Sequence, residues 1–379
     1  MILVGGFGTR LGSLTEDCPK PLLPVAGKPF LAHLMDNLRH FGFNRFILLA
    51  GYKADQIRRF ALAYEHLHNV QATVLTEEDP AGTAGGLLLA RDCLHDEFVL
   101  LNGDTFFDFN LLDLGSRPTE FDWIGRIALR EVNDASRFGR VTMAGDRIST
   151  MREKSGDGQG GLINGGTYWL KREVLDFIAH SPCSMEHDVL PRLIESGNLA
   201  GFTYSGPFID IGIPADLDFV RQNWLEFIRK PATFFDRDGV LNHDDGYTHR
   251  IDGFRWIDGA KAAIKRCNDE GRYVFVVTNQ AGVARGYYDE AAVRELHAWM
   301  NEDLRSIGAH IDAFRYCPHH REGTIPDYAR DCDWRKPNPG MILDILKNWQ
   351  VDKAQSVLLG DKQSDIDAAA AAGIAGVLL

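Results

Sequence analysis

The chain has 379 residues, 45% of them hydrophobic, and a formal net charge of −12. An excess of acid with no Lys/Arg run argues against nucleic acid as a partner, because binding a phosphate backbone depends on clustered cations. No apolar run approaches the roughly 18 residues of a membrane span, and the length is generous for one core, so two domains and no membrane are expected.

The chain opens on a short predicted strand, Ile2–Val4, leaving no room for a signal peptide and pointing to a cytoplasmic protein. The strand runs into Gly5-Gly6-Phe7-Gly8-Thr9-Arg10-Leu11, where missing side chains let backbone N–H groups wrap phosphates. No G-K-[ST] follows, so this is not a Walker loop. Next come Pro19-Lys20-Pro21-Leu22-Leu23-Pro24-Val25 and the glycine-rich Asp79-Pro80-Ala81-Gly82-Thr83-Ala84-Gly85-Gly86. The apolar run Phe98–Leu101 ends in Asn102-Gly103-Asp104, which puts Asp104 at a strand end. Glu153-Lys154, Asn164-Gly165-Gly166 and Phe208-Ile209-Asp210-Ile211-Gly212 complete the series. Taken alone, Glu153-Lys154 reads as a solvated charge pair.

In this order and spacing the segments resemble the sugar-1-phosphate nucleotidyltransferases. The resemblance implies a Rossmann-like domain with a mixed sheet over residues 1–229. Gly5, Gly6, Gly8 and Thr9 would then bind the triphosphate, with Gly82 and Thr83 beside the base and sugar. Glu153, Lys154, Asn164 and Gly165 would contact the sugar and its phosphate. Asp104 and Asp210 would hold magnesium, while Arg10 and Lys20 stabilise the departing pyrophosphate. The wording is most similar to the heptose 1-phosphate guanylyltransferases, which implies GTP and an α-anomeric heptose 1-phosphate as substrates. Mannose guanylyltransferases and N-acetylmuramate uridylyltransferases are the alternatives. The residues that read the base stay open, although Glu77 and Glu78 lie close by.

A helical pattern over Ala215–Ile228 fades at Arg229-Lys230-Pro231, read as a short linker because proline disfavours helix in the residue before it. A second domain is expected over residues 232–379. Its strand Ala232–Phe235 ends in Asp236-Arg237-Asp238-Gly239, and the period-2 geometry plus the turn can aim Asp236 and Asp238 into one pocket. Such a segment alone can equally be a tight turn. Tyr273–Val277, however, ends in Thr278-Asn279-Gln280-Ala281-Gly282, and Ser356–Leu359 ends in Gly360-Asp361-Lys362-Gln363-Ser364-Asp365. Arg335-Lys336-Pro337 precedes a helix beginning near Met341, and Ala368–Ala372 reads as a helix on the sheet.

This ordered set resembles the haloacid dehalogenase superfamily of phosphatases and implies a doubly wound parallel sheet. Asp236 would be the nucleophile and Asp238 the acid and base, Thr278 would bond the phosphoryl oxygens, and Lys336 would neutralise their charge. Magnesium would sit on Asp236, the Asp238 carbonyl and Asp361; Asp365 would be a supporting carboxylate or a helix-start residue. Within the superfamily the set looks like the heptose 1,7-bisphosphate phosphatases, with histidinol-phosphate phosphatases as near relatives, so Asn279, Arg335 and Lys336 would contact the substrate's phosphate and sugar. A non-catalytic role for one of the domains is the remaining alternative.

Cys18, Cys93, Cys183 and Cys267 are scattered, and no disulfide framework is expected. Cys317, His319 and Cys332 stand where the resembled phosphatases hold a zinc loop, but Trp334 takes the fourth position and indole cannot ligate zinc. Water, Asp331, Asp333 or His320 could substitute, zinc could bind only weakly, or the loop could be metal-free. Burial around Trp334 favours weak occupancy or none.

Overall fold

The computed structural model describes residues 1–152 and 158–379, so Glu153 and Lys154 lie outside the described residues. The chain divides into two compact units, one of residues 1–109 and 117–227, the other of residues 110–116 and 228–379. No helix among the described residues is long and apolar enough to cross a membrane.

The first unit is built on a nine-stranded mixed sheet. Its order is Gln71–Thr76, Arg45–Ala50, Ile2–Leu3, Glu97–Asn102, Gly161–Lys171, Gly125–Val132, Leu199–Tyr204, Arg147–Arg152, Arg140–Ala144. The first four run parallel, and Gly161–Lys171 is antiparallel to its neighbours on both sides. Leu100, Ile127, Leu129, Tyr168 and Leu170 fill the core with residues of the segment at Met185–Leu193. Asp210 does not belong to this sheet. Its strand, Phe208–Asp210, pairs antiparallel with Thr105–Phe107, and the register places Asp210 opposite Thr105, next to Asp104. That ribbon brings together two carboxylates 106 positions apart in the sequence.

The second unit has a five-stranded, all-parallel sheet in the order Ala313–Cys317, Tyr273–Asn279, Lys230–Phe235, Val351–Gly360, Ala375–Leu378. Its central strands, AlaThrPhePhe and TyrValPheValVal, are buried along their length, as expected of strands covered on both faces. The strand at the boundary begins earlier than expected. The helix ends at Phe227, and the strand includes Lys230 and Pro231, which face Val351 and Asp352. Proline fits because the register shifts between Pro231 and Thr233, and an opening strand position can do without a donor. Only residues 228 and 229 separate the two elements.

Candidate active sites

In the first unit the expected residues surround a cleft of about 1000 Å³ at the strand ends. Gly5, Gly6, Gly8, Thr9 and Arg10 form one wall, Gly82 and Thr83 another, and Lys20, Asp104, Asn164 and Asp210 line the interior. Gly165 is buried and is not among the lining residues; its neighbour Gly166 is. Lys20 is almost fully buried, its ammonium 2.6 Å from Asp104 Oδ2 and 3.9 Å from Asp210 Oδ1. The Gly212 N–H donates to Asp210 Oδ1 at 2.6 Å. Burial and then the Asp104 charge push the Asp210 carboxyl above its ordinary range, while Lys20 works against them. Two close carboxylates with hard oxygens suit a divalent cation, which would relieve that repulsion. Glu77 also faces this cleft, and burial raises its carboxyl despite a hydrogen bond from the Ala81 N–H.

Sequence reasoning missed the segment Ser184–His187, which lines the cleft beside Gly82 and Thr83. Met185–Val189 is a single wide turn too short for a periodic apolar pattern, so only its Ser184 cap, whose hydroxyl accepts from the His187 N–H, was visible as a signal.

In the second unit Asp236 stands at the end of Lys230–Phe235, with Lys336 Nζ 2.9 Å from its Oδ1. Lys336 Nζ is also 2.6 Å from Asp365 Oδ1, and both of these partners are buried. Asp365 therefore joins the site, and it also accepts the Lys362 N–H as the start of the helix Gln363–Ala372. Burial raises the Asp236 carboxyl to about 6, with Lys336 opposing and the Asp365 charge adding to the rise. One oxygen from each of Asp236, Asp361 and Asp365 lies within 4.8 Å of the others, and the buried Asp361 Oδ1 has no hydrogen-bond partner among the described residues. An unsatisfied carboxylate oxygen beside two more carboxylates fits a divalent cation. Gly239, at φ 89°, makes room for this group: a Cβ there would lie 2.4 Å from Asp361 Oδ2.

Asp238 is held from several directions. Arg237 Nη2 lies 3.0 Å from both of its oxygens, Asn242 Nδ2 donates at 3.0 Å, and Gln280 Nε2 donates at 2.9 Å. Arg237 is wholly buried, and its other end reaches His297 Nε2 at 3.3 Å. Because guanidinium only donates, that histidine nitrogen is the acceptor, and burial followed by the Arg237 charge keeps the imidazole neutral. Gln280 also donates to the Thr278 hydroxyl at 2.9 Å, linking two of the expected residues. The Asn279 side chain accepts the Lys336 N–H at 3.0 Å and donates to the Lys336 carbonyl at 3.1 Å. Arg335 Nη1 donates to the His319 carbonyl at 3.2 Å.

The donor atoms of Cys317, His319 and Cys332 also converge within 4.8 Å. Their type suits zinc, but Trp334 packs against the core and its backbone N–H donates to Cys332 Sγ at 3.4 Å. His320, one possible substitute ligand, accepts the Glu322 N–H at its Nδ1. Burial pushes the Cys317 thiol up to about 12.

Comparison with known proteins places residues 1–224 in a family described as nucleotidyl transferase, and residues 333–379 in one described as HAD-hydrolase-like. A D-glycero-beta-D-manno-heptose-1,7-bisphosphate 7-phosphatase of Rhodopseudomonas palustris is 53% identical over 148 residues, spanning 39% of this chain and 82% of that protein. The phosphatase of the same name from Escherichia coli K12 is 43% identical over 144 residues, 38% of this chain and 75% of that protein. HddC from Yersinia pseudotuberculosis, solved with GMP-PN, is 34% identical with a TM-score of 0.52, covering 59% of this chain and 97% of its own. An inositol-1-phosphate CTP transferase of T. maritima shares the fold at 21% identity and a TM-score of 0.50, covering 59% of this chain and 94% of its own.

Proposed function

We propose that this chain, which belongs to the nucleotidyl transferase family and carries a haloacid dehalogenase-like phosphatase behind it, catalyses two consecutive steps toward GDP-heptose. The phosphatase domain, residues 232–379, removes the 7-phosphate of D-glycero-D-manno-heptose 1,7-bisphosphate. The transferase domain, residues 1–229, joins the resulting 1-phosphate to GMP from GTP and releases pyrophosphate. The observation that carries the reading is that one chain holds both an Asp104–Asp210–Lys20 cluster and an Asp236–Lys336–Asp361 cluster. A relative solved with a guanine nucleotide supports the choice of GTP. A cytoplasmic location, where nucleoside triphosphates are available, goes with it.

In the phosphatase, Asp236 attacks the 7-phosphorus and forms an aspartyl-phosphate as the sugar alkoxide leaves. Asp238 protonates that alkoxide and then takes a proton from the water that hydrolyses the intermediate. Arg237, Asn242 and Gln280 all donate to the Asp238 carboxyl and fix its position. Thr278 bonds the phosphoryl oxygens and Lys336 balances their charge. In the transferase, the 1-phosphate oxygen attacks the α-phosphorus in line, and the glycine loop with Arg10 and Lys20 receives the pyrophosphate. Magnesium, where bound, would be held by Asp104 and Asp210 in one domain and by Asp236, Asp361 and the Asp238 carbonyl in the other. Its chemistry would be charge neutralisation on phosphate oxygens.

Mass spectrometry of products from heptose 1,7-bisphosphate, magnesium and each nucleoside triphosphate tests the whole scheme. The α and β bisphosphates are supplied separately, since the phosphatase relatives carry β in their names and the guanylyl reading implies α. GDP-heptose from the α form is the expected product; inorganic phosphate without nucleotide sugar would remove the second step. GTP is expected to exceed ATP, UTP and dTTP by at least about tenfold in kcat/KM, because a wrong base leaves buried polar groups unpaired. Equal use of UTP would overturn the guanylyl assignment.

The Cys317, His319 and Cys332 loop is proposed to be metal-free or weakly occupied, since a closed structural zinc site needs about four protein donors. Elemental analysis of protein purified without chelator is expected to find zinc well below one atom per chain. Stoichiometric zinc that disappears in Cys332→Ser would refute this.

A further inference from the structure

The wide turn at Met185–Val189 is tied to the glycine loop at Gly82 by backbone contacts on both sides. The Ala84 N–H donates to the Cys183 carbonyl at 2.9 Å, and the Cys183 N–H donates to the Ala81 carbonyl at 2.8 Å. Gly82 allows this approach: its φ is 78°, and a Cβ there would sit 2.4 Å from the Cys183 oxygen. The Thr83 hydroxyl closes the seam by accepting the Met185 N–H at 2.8 Å and donating to Glu186 Oε2 at 3.0 Å. Ser184 Oγ lies 3.2 Å from that same oxygen. Both contacts fall on Oε2. Glu186 itself lines the cleft, and among the described residues Oε1 is the oxygen that no donor engages.

The Glu186 charge bears on the buried Tyr168 hydroxyl, as does that of Asp104, and Asn164 donates to this hydroxyl at 2.7 Å. Glu186, Asn164 and Asp104 all line the cleft. A carboxylate held there repels phosphate and attracts neutral donors. A sugar ring offers such hydroxyl donors, and its phosphate would turn away from the carboxylate.

We propose that Glu186 is a specificity-determining residue of the transferase, with Oε1 accepting hydrogen bonds from hydroxyls of the sugar in the acceptor sugar 1-phosphate. Thr83 and Ser184 position it by engaging the other oxygen. The inference rests on the transferase reading above.

Steady-state kinetics on the full chain test it with Glu186→Ala and Glu186→Gln, heptose 1-phosphate and GTP being varied in turn. Glu186→Ala is expected to raise KM for the sugar phosphate roughly ten- to hundredfold, the size of a lost hydrogen bond to a charged group, and to leave KM for GTP within about twofold. Glu186→Gln keeps an acceptor oxygen and is expected to recover part of the loss, and a KM rise confined to the sugar phosphate with an unchanged Tm is what a purely structural role would not produce. A raised KM for GTP with the sugar term unmoved would assign Glu186 to the nucleoside and overturn the inference. No change in either KM would overturn it too. If the unaltered chain transfers no nucleotide to heptose 1-phosphate, the transferase reading itself has failed, and the two failures are told apart.

Discussion

Asp236→Asn is expected to abolish phosphate release from heptose 1,7-bisphosphate, a loss of several orders of magnitude, while nucleotidyl transfer to supplied heptose 1-phosphate continues. An amide cannot form the acyl-phosphate, and the substitution leaves Lys336 with Asp365 as its remaining carboxylate at 2.6 Å. The fold should survive, because Asn has the same shape and Asp236 is already pushed toward its neutral form by burial. Phosphate assay and nucleotide-sugar chromatography on one preparation measure both activities. Loss of both in a folded protein would end the two-site account.

Asp104→Asn is expected to do the reverse, stopping nucleotidyl transfer and sparing phosphatase turnover. Its carboxylate takes the Lys20 ammonium at 2.6 Å and stands beside Asp210. Neutralising it removes one of the two anionic donors proposed for the cation, and it also frees Lys20 to pair with Asp210 and leave its place in the cleft. The same two assays decide the matter, and transfer persisting within about tenfold of the unaltered chain would take Asp104 out of the machinery.

Much of the architecture was legible because the informative residues sit where a strand stops. Asp104, Asp236, Thr278 and Asp361 each follow or close a short apolar run, and a continuous apolar run bounded by turn residues is easy to read. Asp210 was found from its motif, but its partnership with Thr105 depends on a two-strand ribbon that no local pattern announces. The grip on Asp238 was not legible either: Arg237, Asn242 and Gln280 meet only after 42 residues of chain return to one place. Arg237 lies between the two carboxylates in a turn, and nothing local to that turn marks it as wholly buried. Pro231 misled because proline is both a helix stop and an acceptable strand opening, and what decided between them was its pairing with Asp352, distant in sequence.

The paired hydrogen bonds between the Asn279 amide and the backbone of Lys336 mimic one rung of a peptide ladder, made by a side chain. They anchor the lysine directly to the strand end instead of through the covalent path from Cys317 onward. The stretch between is thereby relieved of a positional duty: a change within it need not shift the ammonium that meets Asp236.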